Sequence, residues 1–285
     1  MTLTESLRQR AAQSPLGTFL VVLTTYSALI VMASYTIFGS EFPTLASLPY
    51  AWGPMISAGV TVWVLDESLR DWLGQLRRVR AGVHWYLGGL GIVLIGTDFE
   101  TMVASLLGVD VVIQAGSSVP VTEYLFYFAV TLFLAGSIEE LGWRGFMQPR
   151  LQRRFRAVTA SAVIGIVWGL WHVPLMLAGA GTFAGFQDYI LMTIAMSVVL
   201  GWLYNNTDGA LPVVMVTHAA SNMASVGRVT SDLPAVFELL SGNVMFYLLC
   251  AGLIVLYAGS ETLTQDGTTP KIPGQRSEQS LQHAN

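Results

Sequence analysis

The chain has 285 residues, 53% of them hydrophobic and 11% charged, with a mean hydropathy of +0.57. A soluble domain carries about 25% charged residues, so this deficit excludes an ordinary soluble globule and places the chain among multi-pass membrane proteins. The net charge of −4 decides little, because the position of charge matters more here than its sum, and no nucleic-acid partner is expected.

In chain order, Arg8 and Arg10 precede an apolar stretch that is too long for a signal-peptide core and lacks a small-residue cleavage site. It reads as a first membrane helix that is retained. Eight spans are expected: 16–38, 51–65, 85–95 continuing toward 107, 121–140, 158–177, 189–204, 211–226 and 244–258. The second is short and carries Pro54, which predicts a kink. Residues 66–83 read as an amphipathic helix lying on the membrane surface. Asp98 and Glu100 suggest an early end to the third span, with 102–107 at the interface. Cys250, the single cysteine, sits in an apolar run and reads as packing. The polar stretch 261–285, with Pro270 and Pro273, is expected to be disordered. The fold class is thus all-α and polytopic, with one domain over 1–260 and a motif-bearing core at about 50–226.

Orientation follows from the basic residues. Thirteen of the 14 lysines and arginines fall on one side of an eight-span layout, and only Arg228 falls on the other. That layout puts both termini in the cytoplasm and predicts a cell-membrane protein.

The charged group Ser137-Ile138-Glu139-Glu140-Leu141-Gly142-Trp143-Arg144 ends an apolar run. A charge in hydrocarbon costs several kcal/mol, roughly, so two adjacent carboxylates are hard to explain as packing. On a helix Glu140 and Arg144 are four apart and share a face, acid first, which is the favourable order. Glu139 points about 100° away. The spacing predicts that Glu140 is tied to the cation while Glu139 is left for other work.

Two further motifs interrupt apolar spans: Trp168-Gly169-Leu170-Trp171-His172 and His218-Ala219-Ala220-Ser221-Asn222. His218 and Asn222 share a helix face. Counted from the arginine-rich side, Glu139, His172, His218 and Asn222 lie at similar depth, which predicts one cavity opening toward the cytoplasm. Ser137 and Ser221 read as small interhelical residues rather than nucleophiles. These residue types suit hydrolysis. A carboxylate can act as base near neutral pH, His172 can place a water, and His218 with Asn222 can donate to an oxyanion. Glu139, His172 and His218 could equally hold zinc, although His-x-x-x-Asn is not the usual helical zinc spacing. No Gly-x-Ser-x-Gly elbow, His-Glu-x-x-His or aspartate dyad is present.

Glu139-Glu140-x-x-x-Arg144, Trp168-x-x-x-His172 and His218-x-x-x-Asn222, in this order on successive helices, resemble the CPBP intramembrane proteases. This is the Abi/CAAX group that includes the Ras-converting CAAX endopeptidase. The resemblance covers about 50–226, and Gly53-Pro54 fits it. It implies an eight-helix endopeptidase with Glu139 as base, Glu140 and Arg144 in support, His172 placing the water, and His218 with Asn222 on the oxyanion. Trp168 stands where the family often has Phe. Relatives have been described as metalloproteases and as glutamate proteases, so zinc stays open. The implied partners are a peptide or protein C-terminus, lipid-modified in eukaryotic relatives, and membrane lipid. A non-catalytic scaffold or bacteriocin-immunity protein using the same cavity, and an ion or proton-coupled transporter, are the alternatives.

Overall fold

A computed structural model describes residues 3–39, 44–113, 120–179, 185–223, 227–229 and 240–275. The architecture is all-α, apart from two three-residue strands, β1 (Val111–Ile113) and β2 (Gly227–Val229), paired antiparallel with Val111 opposite Val229. The helices are α1 (Leu3–Gln13), α2 (Pro15–Phe38), α3 (Thr44–Ala51), α4 (Gly53–Val64), α5 (Leu69–Gly74), α6 (Val83–Leu106) and α7 (Val121–Phe133). After an irregular helical segment over 136–151 come α8 (Ala157–Trp171), α9 (Val173–Leu177), α10 (Phe186–Asn206), α11 (Leu211–Ser221) and α12 (Gly242–Ala258). Among the described residues, five helical stretches are long and apolar enough to cross a membrane: Pro15–Phe38, Val83–Leu106, Val121–Leu151, Ala157–Leu177 and Phe186–Asn206. The three shorter apolar helices are α4, α11 and α12. The chain is a multi-pass membrane protein.

The core forms around α10, whose residues from Ala195 to Leu203 are buried except for Trp202. It packs chiefly on α8 and α12. Lipid tails are as apolar as leucine, so helices in a membrane gain by close backbone approach. Gly165 provides it: a Cβ there would lie 2.4 Å from the Ile194 Cα and 2.7 Å from the Thr193 carbonyl.

Four local expectations change. Pro54 does not kink a helix but occupies the first turn of α4, where its missing N–H costs no bond. α6 runs unbroken past Asp98 and Glu100 to Leu106. Glu100 accepts a hydrogen bond from the Gly242 N–H at the start of α12 (3.1 Å), and Asp188 accepts one from the Ser241 N–H (3.0 Å), so both acids serve a helix N-terminus. The surface helix of 66–83 condenses to α5, capped by Ser68 and followed by one 3₁₀ turn. Residues 261–275 pack across the arginine-rich end instead of hanging loose. Asn205 and Asn206 donate to the Thr262 and Leu263 carbonyls (2.7 and 2.8 Å), and the Ser68 N–H donates to Gly274 (2.9 Å). Residues 276–285 and the expected span end at 224–226 lie outside the described residues.

Candidate active site

The acidic motif does not continue α7. The helix ends at Phe133, and Ala135 leaves the helical conformation (φ −120°, ψ −137°). Ser137 repairs the break by donating from Oγ to the Thr131 and Leu132 carbonyls (3.0 and 2.6 Å), and the Trp52 indole N–H donates to Leu134 (2.8 Å). A 3₁₀ turn carries Glu139, and a widened π-type turn follows over Trp143–Met147. Such turns recur at functional sites because they re-aim side chains that a regular helix would stack. From 139 to 151 every residue is buried, including Glu139, Glu140, Arg144, Gln148 and Arg150.

Glu140 is the glutamate tied to Arg144, as the i,i+4 spacing predicts, and further partners surround the pair. Arg144 Nη1 donates to Glu140 Oε1 at 2.9 Å, Arg144 Nη2 donates to Ser197 Oγ at 2.8 Å, and the guanidinium lies 5.6 Å from the Trp168 ring. Glu140 Oε1 also accepts from His218 Nδ1 at 2.7 Å. Glu139 faces elsewhere: its Oε2 accepts the Trp143 indole N–H at 3.1 Å, and it lies within electrostatic reach of the Tyr50 and Tyr189 hydroxyls.

His172 caps α8 because Pro174, in the first turn of α9, cannot supply the N–H that would continue the helix. Its Nδ1 lies 3.0 Å from the Trp168 carbonyl. A carbonyl only accepts, so that nitrogen carries the proton and Nε2 carries the lone pair. Trp168 sits between the two imidazoles, with ring centroids 6.2 Å from His172 and 5.0 Å from His218. Tyr189 faces His172 at 5.3 Å. Trp171 is clamped by stacking on Tyr50 (4.7 Å), by the Tyr50 hydroxyl on its carbonyl (2.5 Å), and by its own N–H on Ser27 (2.8 Å).

His218 Nε2 and Asn222 Nδ2 converge over Gly136. A Cβ at that position would stand 3.3 Å from the first and 2.4 Å from the second. The structure therefore brings all three motifs together. Glu140 joins the first to the third, and Trp168 bridges the second to the third. Sequence reasoning missed Trp143, Tyr50, Tyr189, Ser197 and the role of Gly136. Only Trp143 carried a signal, through its i,i+4 spacing from Glu139.

Both imidazoles have the Nδ1 partner that also orients metal-bound histidine. The spacing does not gather a ligand set: among the described residues no three His, Cys, Asp or Glu side chains are placed to hold one ion.

The site lies deep. His172 is fifteen residues beyond Ala157, about 22 Å along α8, whereas Tyr189 is about 5 Å from the opposite end of α10. Toward the arginine-rich face the acid is backed by a closed polar core. Tyr204 donates to Gln75 (2.8 Å), Gln75 to the Trp72 and Gly145 carbonyls (2.8 and 3.3 Å), and Gln148 to Gly201 and Asn205 (3.2 and 3.1 Å). In contrast, Asn222 is exposed and His172 half-buried. Beside Tyr50 and Trp171 an apolar groove of about 530 Å³ runs between α2 and α8, lined by Leu20, Leu23, Val31, Val167 and Leu170 among others.

Residues 121–224 match the family described as type II CAAX prenyl endopeptidase Rce1-like. The chain is similar to the CAAX prenyl protease 2 of the archaeon Methanococcus maripaludis, 28% identical over 135 residues, covering 44% of this chain and 48% of that protein. It thus spans about half the length of the curated relative it matches.

Proposed function

Starting from a chain that is Rce1-like over 121–224, we propose that it is a CAAX-type intramembrane endopeptidase that cleaves a peptide with water activated by Glu139. The observation that carries the reading is the division between the two glutamates. Glu140 is consumed by Arg144 and His218, whereas Glu139 accepts the Trp143 indole N–H and lies within electrostatic reach of Tyr50 and Tyr189.

A water donating one hydrogen to Glu139 and the other to His172 Nε2 has its lone pair directed at a carbonyl between them. Glu139 takes the proton as the oxygen–carbon bond forms. Asn222 Nδ2 donates to the oxyanion, beside the His218 ring that Glu140 orients and with which it converges over Gly136. The carbon–nitrogen bond then breaks, and the proton on Glu139 passes to the departing amine. Trp168 keeps the imidazoles apart and shielded from water.

The partner is a peptide or protein segment. The groove beside Tyr50 and Trp171 can receive a lipid chain attached to it, entering sideways from the membrane. The arginine-rich face is cytoplasmic by the distribution of basic residues. The closed core beneath Glu139 then favours entry from the opposite half, rather than from the cytoplasm as the sequence suggested. The test uses purified protein in liposomes with lipidated and unlipidated forms of one CAAX peptide. Wild-type cleavage with none by Glu139→Gln, at unchanged folding, is expected. Equal turnover by the variant would remove Glu139 as base.

A further inference from the structure

At the arginine-rich end a second cavity, of about 600 Å³, lies between loop 77–81 and the turn 207–210, far from the acid–imidazole cluster. Its wall holds three arginines within four residues, Arg77, Arg78 and Arg80, all exposed. The loop is held in place by the Tyr86 hydroxyl, which donates to the Val79 carbonyl at 3.0 Å. The opposite wall is a left-handed turn, with Asp208 at φ 48° and Gly209 at φ 76°. Arg78 closes the two walls, bonding the Asp208 backbone carbonyl and pairing with its carboxylate at 3.6 Å. Among the described residues Arg77 and Arg80 have no carboxylate partner, so the cavity keeps about two uncompensated positive charges.

Two features identify the ligand. The cavity opens where α6 enters the membrane, and Val83 and Leu87 just beyond it are 70% and 62% exposed. Trp85 and Trp202 meet edge to face at 5.2 Å at the same level. Tryptophan at a helix entry and basic pockets between helices both mark the headgroup layer. A soluble anion would use the arginines alone, whereas a phospholipid also covers the apolar shoulder. We propose that this cavity binds the phosphate of an anionic phospholipid, with its chains lying along Val83 and Leu87. Arg77 and Arg80 hold the phosphate, and the Arg78–Asp208 pair fixes the width of the pocket.

Native mass spectrometry of the detergent-purified full chain tests this, with phosphatidylglycerol and phosphatidylcholine of identical chains as probes. The wild type is expected to retain phosphatidylglycerol about 10-fold better. Arg77→Gln with Arg80→Gln, both on an exposed loop, should bring the two lipids to parity. Arg8→Gln with Arg10→Gln, on the same face but outside the cavity, should leave the preference intact. Loss of preference in the second pair as large as in the first would mean diffuse charge, and would overturn the site. Displacement of the lipid by millimolar inorganic phosphate would assign the cavity to a soluble anion and overturn the lipid reading.

Discussion

His218 and Glu140, 78 residues apart, share a 2.7 Å hydrogen bond in a fully buried setting where Glu140 is also paired with Arg144. One carboxylate therefore neutralises a buried guanidinium and orients an imidazole. Separating this work from that of Glu139 gives the first prediction.

Glu140→Gln should unfold more readily, because Arg144 would be left buried without its countercharge. Removing one partner of a buried pair costs about 3–5 kcal/mol. Glu139→Gln should change stability by less than about 1 kcal/mol while abolishing turnover. Thermal melts of both variants in the same detergent check this, and equal melting points would refute the division of labour.

Gly136→Ala places a methyl group 2.4 Å from Asn222 Nδ2, so the carboxamide must swing away from its convergence with His218. Loss of one oxyanion donor costs about 10²- to 10³-fold in kcat. The expected result is a folded protein whose kcat falls on that scale while KM moves little. A variant with wild-type kcat would mean that Asn222 does not touch the reacting oxygen.

Trp143→Phe removes the hydrogen bond that its indole gives Glu139 and keeps an aromatic ring against Phe19 and Trp171. A hydrogen bond to a charged group contributes about 1.5–3 kcal/mol, so kcat should fall roughly 10- to 100-fold. Steady-state kinetics beside a melting curve separates this from a packing defect, which would lower the melting point instead.

Entry from the half opposite the arginines predicts which side labels the site. In a Cys250→Ser background, Asn222→Cys should react with a membrane-impermeant maleimide in right-side-out vesicles. Arg153→Cys should react only in inverted ones. The reverse pattern for residue 222 would return the mouth to the cytoplasmic side.

The apolar runs, the Glu140–Arg144 pair and the three motifs were legible in the chain because each depends on spacing within one helix, which the 3.6-residue repeat fixes. The all-α class followed because a backbone in lipid must satisfy its own hydrogen bonds. What lay outside local periodicity could not be read. The break at Ala135 needs the Ser137 and Trp52 bonds to hold it, and polar composition hid the packing of 261–275. The bond from His218 to Glu140, the seat of Trp168 between two imidazoles and the closed core beneath Glu139 join elements far apart in sequence. Only the packing of α8, α10 and α11 around 136–151 decided them, because a side chain's partner across a helix interface is set by depth and rotation together, and neither is written in one segment alone.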